Sequence, residues 1–282
     1  MKIAACVILY NTEKSIKQNI DSYINYVEKV YIIDNSAVST VRQLYPLAGN
    51  SKIVFIHNGK NEGIAKRLNQ ACELAINEGF EYLLTMDQDS YFDGLAIRNY
   101  FNCIEAFPNK TNISMFGINH EETTSNMDCA YAKTSFLITS GSVVNLNAYK
   151  HIGPFDENLF IDFVDTEYCF RSILKGFEII QLPGIFMHHS LGETFEKRSL
   201  KSLKKTKRSF HSALRLYYMT RNYFYINSKY KQQFRKELSV LKTDLLNRIK
   251  NKLLYNSNRY TTFRYLVKAV KDYRKNNMGK RF

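Results

Sequence analysis

Four short apolar runs, each ending abruptly in a polar cluster, limit the folds open to this chain. Residues 3–10 (IAACVILY) stop at Asn11, and residues 29–33 (KVYII) stop at Asp34-Asn35-Ser36. Residues 53–57 stop at Asn58-Gly59-Lys60-Asn61-Glu62-Gly63, and the run ending at Met86 stops at Asp87-Gln88-Asp89-Ser90. Runs of this length with such bounds read as buried strands. A helix capped by Thr12 is expected to run to about Tyr26, and another over residues 64–77, with Ala65, Leu68, Cys72, Leu74 and Ala75 on one side and Gly79 as its stop. Strands alternating with helices imply βαβ units and a mostly parallel sheet. The polar ends then converge on one sheet edge, where open α/β sheets bind their ligands.

The last of these ends carries the most chemistry. Asp87 and Asp89 lie one residue apart where a buried strand must surface. Carboxylates so spaced can approach one hard cation from one side and leave its other positions to water and phosphate oxygens, as magnesium prefers. A bare pair of this kind also occurs in solvated turns, so its meaning depends on the rest of the chain.

Helix is expected over residues 93–107 and strand over 112–117. Residues 131–144 read as extended, broken by Ser140-Gly141-Ser142, either a close approach of backbone to a ligand or a plain turn. In GPFDENLFIDFVDTEYCFRSILKGF, Phe163, Thr166, Phe170 and Ile173/Leu174 fall at helical spacing. Asp162 and Asp165 then sit at a helix amino terminus, where acids also serve as caps. A strand over 177–182 leads past Pro183-Gly184 to His188-His189.

Charge divides the chain. Residues 197–282 hold 25 Lys/Arg against three acids, a net of +22, and residues 1–196 hold 15 against 23, a net of −8. That asymmetry divides the chain into an acidic part over 1–196 and a basic, aromatic-rich helical part over 197–282, and points to an anionic partner surface. The tail's mixture of Lys/Arg with Leu, Ile, Tyr and Phe over 198–218 and 234–273 suits helices lying on an anionic membrane; helices packed beside the acidic part are the plainer alternative. Nucleic acid is the rival partner for a basic tail, but the acidic part carries no binding motif for it, so none is expected. The five cysteines are scattered without a CxxC pair and read as reduced core residues. No signal peptide and no run near the roughly eighteen apolar residues of a membrane span is visible, so a cytoplasmic location, peripheral on the inner face of the cell membrane, is expected.

The motifs VILYN, IIDNS, NEGIAKRLNQA, MDQDS, the run from TSGSVV through GPFDENLFIDFVDTEYCFR, then MHHSLGE and RLYYMTRN follow one another over residues 3 to about 222. In that order the chain resembles the inverting nucleotide-sugar glycosyltransferases of family 2, with a GT-A (Rossmann-like) α/β fold, and within them the bacterial rhamnosyltransferase-like branch of surface-polysaccharide synthesis. The resemblance implies that Tyr10, Asn11 and Asp34 meet the base and ribose, and that Asn61 and Gly63 line the nucleotide pocket beside Ser140 and Gly141. It implies that Asp87 and Asp89 hold Mg²⁺ or Mn²⁺ against the sugar diphosphate, with His189, favoured over His188 by its spacing to Leu191-Gly192, completing the site. Asp165 falls where the family has its catalytic base. Relatives often carry another acid before it, where this chain has Val164, and that leaves Asp162 as the other candidate.

From the resemblance the donor is a nucleotide-diphosphate sugar, dTDP-L-rhamnose first, with UDP-activated hexoses or galactofuranose as alternatives. The acceptor is a polyprenyl-diphosphate-linked glycan. A homo-oligomer is left open.

Overall fold

The computed structural model of the chain describes residues 1–12, 16–39, 41, 50–120, 128–189, 194–198, 205–209, 211–255 and 258–282. By contact it falls into two compact units, Met1–Phe160 with Val164–His189 and Ile161–Phe163 with Ser190–Phe282.

The first unit is built on an eight-stranded sheet in the order β3-β2-β1-β4-β8-β6-β9-β7. The strands are β1 (Ile3–Leu9), β2 (Lys29–Asp34), β3 (Ile53–His57), β4 (Tyr82–Asp87), β6 (Ile113–Asn119), β7 (Ala132–Lys133), β8 (Ser142–Asn145) and β9 (Glu178–Phe186). Strands β3, β2, β1 and β4 run parallel, and β8 is antiparallel to both β4 and β6. Every residue of β1 is buried, as expected of a parallel strand covered on both faces. The sheet is thus mixed and mostly parallel, flanked by helices α2 (Ile64–Asn77) and α3 (Ala96–Ala106), which bury Ala65, Leu68, Ala71, Cys72 and Ala75 and Ala96, Ile97, Tyr100, Cys103 and Ile104.

The first crossover is shorter than its sequence suggests. Helix α1 covers only Lys17–Asp21, followed by a single 3₁₀ turn at Ile24–Tyr26. The described helix has Ile16, not Thr12, at its N-cap, and the Thr12 hydroxyl donates to Gln88 Oε1 at 2.7 Å; part of the expected helix, residues 13–15, lies outside the described residues. The cysteine expectation also fails in part. Cys6, Cys72 and Cys169 are buried and free, but Cys103 and Cys129 form a disulfide. Their separation of 26 residues matches no spacing motif. They meet because α3 ends beside the segment that carries Tyr131, whose ring meets Phe107 edge-on at 4.8 Å.

The second unit is mainly three helices, α6 (Ala213–Tyr230), α7 (Arg235–Tyr255) and α8 (Arg259–Arg274). Helix α6 is its centre, burying Leu216, Tyr217, Tyr218, Met219, Ile226 and Tyr230. Arg221, fully buried, lies over Tyr217 and Tyr218 and donates to Gly279 O at 2.8 Å. Among the described residues, helix expected over 198–218 begins at Ala213, and upstream β11 (Thr194–Arg198) and β12 (Lys205–Ser209) pair antiparallel. Residues 199–204 and 210 of that expected helix lie outside the described residues. No described helix is long and apolar enough to cross a membrane.

Candidate active site

Register alone brings the polar strand ends together. Leu9 pairs with Asp34, Ile8 with Asp87, and Asp34 with His57, so Tyr10-Asn11, Asp34-Asn35-Ser36, Asn58 and Asp87-Gln88-Asp89 emerge in one row at the carboxyl edge of β1–β4.

The β1–β2 end of this row is held by short polar contacts. Asn11, with a positive φ of 45°, donates its backbone N–H to Ser36 Oγ at 2.7 Å. Ser36 N donates in turn to Asp34 Oδ1 at 3.0 Å. Asp34 is 1% exposed, and its Oδ2 is buried with no hydrogen-bond partner among the described residues. A buried carboxylate oxygen left open in this way costs stability and marks a place where a ligand N–H would be welcome. Tyr10 is half exposed beside it.

Asn61 Oδ1 accepts from Asn35 Nδ2 at 2.9 Å and from Gly63 N at 3.1 Å. Gly63 has φ of 87°, and a Cβ there would stand 2.4 Å from the Phe160 ring. Its carbon is therefore excluded by packing, and α2 starts directly after it with Ile64 N donating to Phe160 O at 2.6 Å. Arg67, buried on α2, ties both loops together: Nε donates to Asn35 Oδ1 at 3.0 Å and Nη2 to Asn58 Oδ1 at 2.6 Å and Lys60 O at 3.0 Å.

Asp87, Asp89 and His189 form the metal-competent end, with one ligand atom of each within 4.8 Å of the others. His189 arrives through a two-residue antiparallel pairing of β10 (His188–His189) with β5 (Ser90–Tyr91), which sets His189 opposite Ser90. The adjacent His188 faces elsewhere, stacked on Tyr91 and bonded to Asp93. Leu191-Gly192, the spacing marker for His189, lies outside the described residues. Two carboxylates and an imidazole are hard-to-borderline donors that suit Mg²⁺ or Mn²⁺ and leave room for phosphate oxygens.

Hydroxyl groups support this set. His189 Nδ1 meets Ser90 Oγ at 2.7 Å, Ser90 meets Ser140 Oγ at 2.9 Å, and Asp87 N donates to Ser140 Oγ at 3.2 Å. His189 Nδ1 also lies 3.8 Å from Asp89 Oδ1, so this nitrogen faces both Ser90 and the carboxylates of the cation set. Ser140 and Ser90 are both buried, so Ser140 acts on the site through Asp87 and Ser90. Gly141, at φ of 74°, packs where a Cβ would meet Ile118 at 2.7 Å. His120, absent from any sequence expectation, meets His189 edge-on at 5.9 Å. Burial, and after it the neighbouring His189, push its pKa down to about 4.

Gln88, the residue between the two carboxylates, joins the two ends of the row. Its Oε1 accepts from Tyr10 N at 2.8 Å as well as from Thr12, and its backbone oxygen accepts from Asn19 Nδ2 at 2.7 Å.

Asp165 stands in the first turn of α5 (Val164–Leu174), partly exposed, accepting from Thr166 N at 2.8 Å. The loop before α5 is anchored through Asn69, which accepts from Phe155 N at 2.8 Å and donates to Phe155 O at 3.0 Å. Asp162 belongs to the other unit. Its φ is 62°, and its carboxylate is engaged by Arg215 at 3.1 Å. The alternative candidate base is thus already ion-paired.

A row of polar strand ends beside the Asp87, Asp89 and His189 group, on a mixed sheet of this order, is the arrangement of an α/β protein that takes its ligand at the carboxyl edge. The Glycosyl transferase family 2 model matches residues 4–135, and the chain, which carries this domain on a GT-A fold, is a glycosyltransferase. It is 29% identical over 252 residues to the dTDP-rhamnosyl transferase RfbF of Shigella flexneri, covering 80% of each chain. Two solved structures share the fold: S. aureus TarS (15% identity, TM-score 0.53, 98% of this chain and 49% of that one) and GalNAc-T7 with UDP, GalNAc and Mn²⁺ (12%, TM-score 0.57, 96% and 57%). The chain thus spans about half the length of those two structures.

Proposed function

We propose that this chain is a metal-dependent inverting glycosyltransferase that moves a sugar from a nucleoside diphosphate to a hydroxyl of a lipid-linked glycan in bacterial surface-polysaccharide synthesis. One observation carries it: Asp87, Asp89 and His189 converge within 4.8 Å in the same edge row as the open Asp34 oxygen. Asp34 would accept from the base, Asn11 and Tyr10 would border base and ribose, and the Asn61–Gly63 loop would flank the nucleotide. Asp87, Asp89 and His189 would hold Mg²⁺ or Mn²⁺, which when bound neutralises charge on the departing diphosphate. Asp165 would take the proton from the acceptor hydroxyl as that oxygen attacks the anomeric carbon, worth about 10²–10⁴ in rate. Attack from the face opposite the diphosphate inverts the anomeric centre in one displacement.

The likeness to a dTDP-rhamnosyl transferase supports dTDP-L-rhamnose as donor. Asp34 does not itself choose between dTDP and UDP, because thymine and uracil carry the same N3–H; the choice falls to contacts at C5 and the ribose 2′ position. UDP-hexoses and UDP-galactofuranose therefore form the comparison set. The basic C-terminal part would hold the enzyme on the anionic inner face of the cell membrane, near a polyprenyl-diphosphate-linked acceptor.

The test is a thermal-shift series of dTDP-rhamnose, UDP-glucose and UDP-galactofuranose with Mg²⁺, Mn²⁺ or EDTA, followed by donor hydrolysis. The expected result is a metal-dependent shift largest with dTDP-rhamnose. No metal dependence of either readout would overturn the proposal.

A further inference from the structure

Helix α8 is amphipathic on two sides. Thr262, Ala269 and Asp272 are buried, and this face packs against α6. Asp272 accepts from Tyr217 at 2.7 Å and pairs with Arg281 at 3.4 Å. The opposite face repeats apolar side chains at i, i+3 and i+7: Tyr260, Phe263 and Val267, which are 74%, 60% and 38% exposed. That spacing makes one stripe. On a helical projection Arg264, Lys268 and Lys271 flank it on one side. The last residues fold back alongside: Arg281 N donates to the Tyr218 hydroxyl at 3.1 Å, and Lys268 Nζ lies 4.3 Å over the Phe282 ring. A shallow concavity of about 690 Å³ runs among Tyr260, Phe263, Arg264, Lys268 and Phe282.

An apolar stripe facing away from its own core marks an interaction surface. Charge selects its partner. Residues 259–282 carry eight Lys/Arg and one acid, Asp272, which is spent inside the unit. A second copy placed on the same face by two-fold symmetry would bring these cations against one another. Nucleic acid would meet the cations but offers little to a Phe263–Val267 stripe. An anionic bilayer answers both: its headgroups take the Lys/Arg, and its acyl boundary takes the apolar stripe, as for helices that lie in the interface plane.

We propose that the outer face of α8, with Tyr260, Phe263 and Val267 inserted and Arg264, Lys268 and Lys271 on the headgroups, is the surface by which this chain lies on an anionic membrane. It rests on the membrane attachment proposed above and names the face that makes it. Helix α6 cannot serve, since its apolar residues are used in the core.

The experiment is vesicle flotation of the intact chain with phosphatidylcholine alone and with phosphatidylcholine mixed with phosphatidylglycerol. It compares wild type, F263S/V267S and R264Q/K268Q/K271Q, and adds light scattering for mass and hydrolysis of the nucleotide-sugar donor. Wild type is expected on the anionic vesicles only, with release at high salt. The triple variant should bind about 10²-fold more weakly, at about fivefold per cation near the surface, and the apolar variant at least about tenfold more weakly. Donor hydrolysis and mass should stay as in wild type, because the site row is untouched. Wild type failing to bind anionic vesicles would overturn membrane attachment itself. Wild type binding with both variants undiminished would overturn this face while leaving the attachment standing. A lower mass in the variants would make the stripe a contact between copies, and DNA displacing the vesicle-bound protein would make the cations a nucleic-acid site; either outcome overturns the proposal.

Discussion

The two units of this chain use polar and charged residues in opposite ways. In the first, polar groups sit at strand ends and bond one another: Gln88 to Tyr10 and Thr12, Arg67 to Asn35 and Asn58, Ser140 to Asp87. Most are fixed by two or more partners, and the open atom, Asp34 Oδ2, lies in their midst. In the second, two of the ionic groups are built into a bundle, Arg221 beneath tyrosine rings and Asp272 under Tyr217, while most Lys/Arg point to solvent. A preorganised row binds and turns over a small anionic ligand, since donors already in place need no rearrangement as charge develops. A fringe of mobile cations holds a broad surface of opposite charge and is screened by salt. The difference predicts that substitutions in the first unit change turnover and those on the surface of the second change attachment.

The sharpest way to break that division is Asp89→Ala. Losing one of two carboxylates in the cation set should lower transfer about 10³-fold or more, the several kcal/mol a bound metal contributes. Melting temperature should hardly move, because the Asp89 side chain is 43% exposed. Steady-state kinetics with and without EDTA checks it; wild-type rates in the variant would remove Asp89 from the site.

Next in size is Asp165→Asn, which keeps shape and removes proton acceptance. A fall of about 10²–10⁴ in kcat with donor affinity retained is expected. Asp162→Asn is its control. Asp162 is bound to Arg215, so its loss should disturb the second unit more than the chemistry, and a larger kcat loss there than at Asp165 would reverse the assignment. A smaller effect belongs to Gln88→Ala. Removing the acceptor of two hydrogen bonds should loosen the Tyr10–Thr12 loop and raise KM for the donor about tenfold, at roughly 1 kcal/mol per bond, with less change in kcat.

These residues also show where the sequence was transparent. The parallel strands β1 to β4 could be read because a buried strand needs a continuous apolar run and must end where a polar residue surfaces. Asp34, Asp87 and Asp89 followed from that rule. The first crossover helix and the paired strands at 194–198 and 205–209 could not be read so. Thr12 looks like a cap, but the described helix is entered at Ile16, and the Thr12 hydroxyl donates to Gln88, 76 residues away. The strands KTKRS and TFEKR have too few apolar residues to show a period of two. Gln88, Arg67, Ser90 and His120 were missed because their roles are contacts between distant segments, such as Ser90 with His189, 99 residues apart. A polar residue next to a motif was the available signal for Gln88 and Ser90; Arg67 and His120 had none. The outer stripe of α8 was visible only as mixed composition, since which of a helix's two apolar sides is buried depends on its neighbour.

The smallest effect tests whether the cations of the second unit also act on its own stability. His211 is pushed down to about 4 by burial first and then by Arg215 and Arg248. Arg248 can only donate, so its contact with His211 Nε2 requires a neutral imidazole there. The folded value lies below the ordinary 6.5, so below pH 6.5 the unfolded chain binds a proton that the folded one refuses. Stability from this group is therefore complete above pH 6.5 and drains away as pH falls through about 4. His211→Asn removes the titration, so its melting temperature should fall less steeply than wild type over that window. Added salt should narrow the gap by weakening the arginine share while leaving the burial share. Parallel pH curves for the two proteins would show that His211 does not titrate differently on folding, and that Arg215 and Arg248 act outward only and not on this buried imidazole.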